Sequence, residues 1–487
     1  MTRSQIEEEK NLIFQQIHKY VPLLRPFFEI GDTLENFSSK LYDFPVAEEH
    51  QDRQKMVVTH IKNKFRKLFA KNFESLNLNF SGNLAYNIAD HHMVLSHPFL
   101  ISANIVSSAK KLLQNEKQDA IIVISSGDVP PNNYFSKGGF IFHGKRVPLF
   151  SVSEREYSSY YIPKRDLDPV RRLKDIGRWK DFDHEEQRFL QDEENFLGSI
   201  DFSNCRDYAD QITHVVNRSW PRLFSVEQRN ALPELLYITQ EELTTECLIE
   251  LLQSDNMISS TLFDSGFRES VLNNFRGIVT TWREDEGKGT HFFWRKYPGQ
   301  PRSLRVWVQG NKLVPEDPRF ASLAIPLEKQ PVIELLKSRE IYPSLFMIFS
   351  VLNFYAGIRP LTGFGSAVYL HLIKDAWLET LRNAGMKDEA ELVNDVETNG
   401  LIAGLVLTYQ RTMEKIQTLY AHDIFANGGM SREYLKRILD LKYRDVFSVG
   451  IADMYDYFRQ KYIPKNEWIE KKITFDDLAT LVFDWIK

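Results

Sequence analysis

Residues 86–98 read Tyr-Asn-Ile-Ala-Asp-His-His-Met-Val-Leu-Ser-His-Pro. Three of the chain's 12 histidines fall here, beside one carboxylate. Imidazole nitrogen and carboxylate oxygen are common ligands of zinc and iron, and the same groups move protons in hydrolysis and group transfer. On an extended backbone Asp90 and His92 share a face, because side chains alternate. On a helix Asp90 and His97 share one. A strand-to-helix turn near His92 would gather Asp90, His91 or His92, and His97 about one divalent ion, zinc or iron. The expected assignment is Asp90, His92 and Asp128 as catalytic groups, and His91, His92 and His97 as metal ligands. The plainer alternative is that these are core histidines and that Asp90 only caps a helix. No metalloprotease-type His-Glu-x-x-His occurs.

Three further segments carry chemistry-bearing residues. Ser125-Ser126-Gly127-Asp128-Val129-Pro130-Pro131-Asn132-Asn133 follows an apolar run. Ligands of open α/β sheets sit beyond the carboxyl ends of strands, so Asp128, Asn132 and Asn133 are expected to orient a ligand. Glu286-Gly287-Lys288-Gly289-Thr290-His291 holds phosphate-binding residue types, but it precedes a strand and lacks the P-loop spacing. It reads as a tight loop, with His291 free to enter a cleft. Gly357-Ile358-Arg359-Pro360-Leu361-Thr362-Gly363-Phe364-Gly365-Ser366 reads as a break between two apolar helices. The second helix would start near Ser366, its amino end and Arg359 available to an anion. No Gly-x-Ser-x-Gly elbow makes Ser366 a nucleophile. Glu241, Glu242 and Glu246 lie on one helix, and capping with solvent exposure is the expected reading.

The elements that must position these groups are predominantly helical. The spacing predicts helices near 4–20, 49–71 and 99–115, with Pro98 breaking the last from the histidine cluster. Ser81-Gly82-Asn83 is a turn signal. Residues 120–125 (Ala-Ile-Ile-Val-Ile-Ser) form the best buried strand, and 140–150 read as a hairpin around His143-Gly144-Lys145-Arg146. Residues 163–196 are densely charged and read as helices with solvated faces. Residues 204–280 are expected to be helical, with Thr239 and Glu242 marking one helix start. Residues 290–294, 304–308 and 312–314 predict a small antiparallel meander. From about 328 the chain is expected to be nearly all helix, including 401–419, with a last capped helix at Thr474 and Asp477.

The expected class is therefore α+β and predominantly helical: an N-terminal α/β lobe with a short sheet, a meander near 290–314 and a helical C-terminal half. The expected boundaries are 1–162, a charged connector 163–203, 204–327 and 328–487. Composition is that of an ordinary globular protein, with 43% hydrophobic and 26% charged residues. A net charge of −5 and no sustained basic face argue against nucleic acid as a partner. Two cysteines, Cys205 and Cys247, exclude a disulfide scaffold. An acidic amino terminus and no apolar run of membrane-spanning length lead to the expectation of a soluble cytoplasmic protein without a membrane partner. Two functions fit: an enzyme acting on a small polar or anionic metabolite by hydrolysis or transfer, metal-assisted in one version, or a non-catalytic helical protein offering an aromatic groove to a partner.

Overall fold

β-branched and aromatic residues buried on both faces form the centre of the molecule, a five-stranded parallel sheet. In the computed structural model, which describes residues 1–76, 78, 84–114, 120–413 and 415–486, its strands are β1 (Ala85–Asn87), β2 (Ile121–Ser125), β3 (Leu235–Thr239), β4 (Arg359–Thr362) and β5 (Gly400–Leu401). Their order is β5-β4-β1-β2-β3, and every pairing is parallel. The chain steps outward from β1 to β3 on one side, then returns to lay β4 and β5 on the other. Beside β1 the strand order reverses, which opens a crevice at the carboxyl ends of β1 and β4.

Both sheet faces are covered, and the strands show it residue by residue. Ile121 and Val123 of β2 pack with the helices Pro98–Gln114 and Tyr208–Ser219 and with the C-terminal helices. Ile122 and Ile124 pack with Glu48–Phe69, Gln240–Leu251 and Phe364–Asn383. Period-two alternation with both sides apolar is what a sheet sandwiched by helices requires. Residues 1–162, 204–327 and 328–487 all contribute strands to this sheet. Cys205 and Cys247 are buried and unpaired. Among the described residues no helix is long and apolar enough to cross a membrane.

The predominantly helical α+β class holds, and the structure corrects several local expectations. Residues 235–239, within a stretch expected to be helical, are strand β3, and residues 359–362 are strand, not the linker between helices. Arg359 and Leu361 bond to β1, and Ile402 N donates to Thr362 O at 2.9 Å. Pro360 therefore faces β5, whose pairing starts only opposite Leu361, and its missing N–H leaves no gap. The helix after it begins at Phe364. Residues 401–419 are not helical: Gly404 at φ +106° breaks the run, and two short strands, Tyr409–Arg411 and Ile416–Thr418, follow. The antiparallel structure near 290–315 divides between two sheets, each recruiting a later strand, Ile341–Pro343 in one and Ile325–Pro326 in the other. The hairpin at 139–148, the start of a helix at Pro98 and the reciprocal cap of Thr474 and Asp477 agree with the pattern reading. The turn signal at 81–83 lies outside the described residues.

Gly357 shapes the approach to β4. Its φ is +68°, and a Cβ there would lie 2.3 Å from Cγ of His50, itself almost fully buried. Gly357→Ala is expected to lose more than about 1 kcal/mol of stability, because strain and overlap act together. A urea midpoint unchanged from wild type would contradict this.

Candidate active site

The loop after β1 keeps its extended course past the strand: Ser126 N donates to Asp90 O at 2.9 Å and His92 N to Ser126 O at 2.8 Å. Successive side chains therefore point to opposite sides. Asp90 turns inward and is 1% exposed. Its Oδ1 accepts from His91 N at 2.7 Å, and its Oδ2 accepts from Asn104 Nδ2 at 3.1 Å and from the Tyr237 hydroxyl. Burial pushes its pKa up to about 6 against the pull of those donors. Every contact is to the scaffold, so Asp90 acts as a clamp between the loop, the helix Pro98–Gln114 and β3.

His92 is also buried. Its Nδ1 lies 2.8 Å from Ser125 Oγ and its Nε2 2.7 Å from Ala209 O. The carbonyl can only accept, so Nε2 carries the proton and Nδ1 accepts from the serine. Burial lowers its pKa, and both nitrogens are occupied. His97 Nδ1 accepts from Phe99 N at 3.3 Å, and its ring meets Phe135 edge-on at 4.8 Å. Burial, then Lys137, depress its pKa to about 3.

His91 points the other way, into the crevice. Its Nδ1 lies 3.3 Å from Asn133 Oδ1. That amide is oriented by its own contacts: Oδ1 also accepts from Phe135 N at 2.9 Å, while Nδ2 donates to Pro130 O at 2.7 Å. Nδ1 must therefore donate, which leaves Nε2 with its lone pair. Burial lowers the His91 pKa to about 4, so the ring is neutral at pH 7.

The crevice is a cavity of about 540 Å³ at the reversal of strand order. Ala89 and His91 line it from the end of β1, residues 363–366 from the end of β4, and Ala403 and Gly404 from the end of β5. Tyr134, Phe135, Phe364 and Tyr457 give it aromatic walls. The helix Ile451–Lys461 adds Asp453, Asp456, Tyr457 and Gln460. Tyr134 OH donates to Asp453 Oδ2 at 2.7 Å, and burial raises the Asp453 pKa. Asp456 is paired with Lys471 and with Arg459 at 2.9 Å. Sequence reasoning missed these four positions, although their spacing of i, i+3, i+4 and i+7 is a polar stripe along one helix face.

The remaining expected residues lie elsewhere. Asn132 Nδ2 donates to Glu156 in the loop beside Asn133. His291 is tied to Glu284 at 3.1 Å and accepts from Val308 N at 2.8 Å within the antiparallel region. Arg359 sits at the amino end of β4, away from the crevice, and donates to Leu41 O at 2.9 Å and Asn399 Oδ1 at 3.0 Å. Asp128 belongs to a separate cavity and accepts from Tyr342 OH. The histidines do not converge as a ligand set: among the described residues no group of three or more His, Cys, Asp or Glu side chains is arranged to hold a metal ion. No protein-family model matches the chain, and no curated protein is significantly similar to it.

Glu241 corrects the expectation of a solvated glutamate. It is fully buried behind the loop after β2 and accepts from Gly127 N at 2.8 Å and Asp128 N at 3.0 Å. Burial, then the neighbouring Asp128 carboxylate, raise its pKa to about 8. A carboxyl whose folded pKa exceeds its unfolded value favours folding in its protonated form. That contribution is whole below the ordinary glutamate value of 4.5 and is lost as pH rises through about 8. From pH 5 to pH 8, wild type should therefore lose stability relative to Glu241→Gln by on the order of a few kcal/mol. Urea titrations at both pH values with a constant difference between the two proteins would show the linkage to be absent.

Proposed function

We propose that this chain is an enzyme that performs acid–base chemistry, in hydrolysis or group transfer, on a small polar molecule carrying a flat ring, bound in the crevice between the ends of β1 and β4. The observation that carries this reading is His91: a neutral imidazole facing a cavity, its Nδ1–H fixed by Asn133 and its Nε2 free to take a proton. A base oriented by a second polar group is the arrangement that general-base catalysis needs. The location supports it as well, since open parallel sheets bind ligands where strand order reverses.

In this reading His91 Nε2 removes a proton from water or from a substrate hydroxyl. Tyr134 and Asp453, held to each other, bind a polar group of the substrate. The aromatic walls take the ring by stacking and edge contacts. Asp453 and Asp456 disfavour an anion in this cavity, so the substrate portion here is uncharged or cationic. A metal-centred version has weaker support: His92 has both nitrogens committed to Ser125 and Ala209, and His91 and His97 meet different partners. No step here runs through a metal.

Ligand-observed NMR with nucleosides, aromatic amines and aromatic alcohols tests the reading. Gly363 has φ −83°, and a Cβ there would meet only Ala89 and Ala403, at 4.0 and 3.9 Å. Gly363→Val should therefore fold and fill the cavity floor, abolishing binding. For any compound that turns over, His91→Ala should lower kcat/KM by roughly 10²–10⁴-fold. The base form is lost only as pH falls through about 4, so the acid limb should lie near there and not near 6.5. Binding insensitive to Gly363→Val, or turnover indifferent to His91→Ala, refutes the proposal.

A further inference from the structure

The loop read from the sequence as Gly287-Lys288-Gly289-Thr290 borders a second cavity, of about 690 Å³, that the reaction proposed above does not use. Three cations line it: Arg283, Lys288 and Lys461. Arg283 and Lys288 share a single partner, Glu286, at 3.2 and 2.5 Å, and Glu286 is solvent-exposed and not part of the lining. Lys461 is held by a neutral group: its Nζ donates to Tyr457 OH at 2.7 Å and sits 4.0 Å from the centre of that ring. Burial and the nearby Arg283 both lower the Lys461 pKa, so two positive charges act on one another here. Among the described residues the one carboxyl in the wall, Asp128, is engaged by Tyr342.

The same cavity is lined by three residues whose hydroxyls lack partners. Thr280 Oγ1, Ser344 Oγ and Tyr462 OH are each shielded from solvent with no hydrogen-bond partner among the described residues. Ser344 is only 4% exposed. A buried polar group left unsatisfied costs about 1–3 kcal/mol. Thr280 also holds φ at +80°, a conformation that a β-branched residue adopts only when its surroundings impose it. Excess positive charge in one cavity, bordered by residues whose buried hydroxyls lack partners, suits a compact anion with many acceptor oxygens.

We infer that this cavity is an anion site for a phosphoryl group, carried by a phosphorylated small molecule or by free phosphate. The inference does not rest on the crevice reading, although Gln460 lines both cavities. Arg283 and Lys461 supply the charge, and Lys288 adds to it from the glycine loop. Isothermal calorimetry on the full chain at low salt, with inorganic phosphate, pyrophosphate and ribose 5-phosphate, tests it. Wild type should bind at least one of them, and Arg283→Ala with Lys461→Ala should weaken binding tenfold or more. Lys461→Ala alone should weaken it measurably and keeps the test valid if the double variant fails to fold. Tighter binding of ribose 5-phosphate identifies a phosphorylated metabolite, and equal binding of inorganic phosphate identifies the free ion. Gly363→Val should leave phosphate binding intact, which separates this site from the crevice. No binding by wild type at millimolar concentration, or equal binding by the Lys461 variant, overturns the inference.

Discussion

The carboxyl group of Asp90, sealed in the interior, governs how this molecule presents its chemistry. A carboxyl taken out of water must be satisfied completely, and here a tyrosine from β3, an asparagine from the helix after β1 and the backbone of its own loop do so. The network extends through Asn87, whose Nδ2 donates to Asn104 Oδ1 at 2.8 Å. Strands and helix are thereby tied at a point where β1 itself offers only three residues of ladder. With the loop fixed, its neighbours have no freedom of direction: His92 is driven into the scaffold and His91 toward the crevice.

Much of this was legible in the sequence wherever the signal was local. The β-branched run of β2, the hairpin around residue 143, the break before Pro98 and the caps at Thr239 and Thr474 depend on neighbours a few residues away. β1, β3 and β4 were hidden because parallel strands are chosen by partners distant in the chain: β1 is too short to show a period, β3 lies in a stretch read as helical, and Arg-Pro in β4 argues against a strand unless one edge is known to need no donor. Residues 401–419 carry apolar spacing that suits a helix, yet Gly400 and Gly404 and burial on every side select extended chain instead. The histidine cluster was recognised as a place of interest, but spacing alone could not tell which imidazole faces a cavity. That is decided by Ser125, Asn133 and Ala209, all from other elements. Glu241 was read as solvated because its helix start looks like a surface cap; its burial comes from the loop after β2 that folds over it.

The two cavities differ in chemical character while sharing a border. One is walled by aromatic rings and carries carboxylates, the other is lined by cations and by residues with buried hydroxyls. The helix Ile451–Lys461 serves both, its Asp453, Asp456 and Tyr457 toward the first, its Lys461 and the adjoining Tyr462 toward the second, and Gln460 at each. A single element thus sets opposite electrostatic environments within a few residues, and movement of that helix would change both at once.

The central strand has an unusual assembly history built into it. Asn87 pairs with Val123, which leaves the ribosome soon afterwards, but Ala85 pairs with Arg359, and the first helix, Arg3–Tyr20, packs on Ile451–Lys461 near the end of the chain. During synthesis one edge of β1 therefore stays open, and the apolar face of the first helix uncovered, until most of the polypeptide has emerged. Topologies dominated by such distant pairings fold slowly and expose sticky edges while they wait. The crevice gains its wall of Asp453, Asp456, Tyr457 and Gln460 only once the helix Ile451–Lys461 is in place, so a chain cut short of that helix leaves it open on that side.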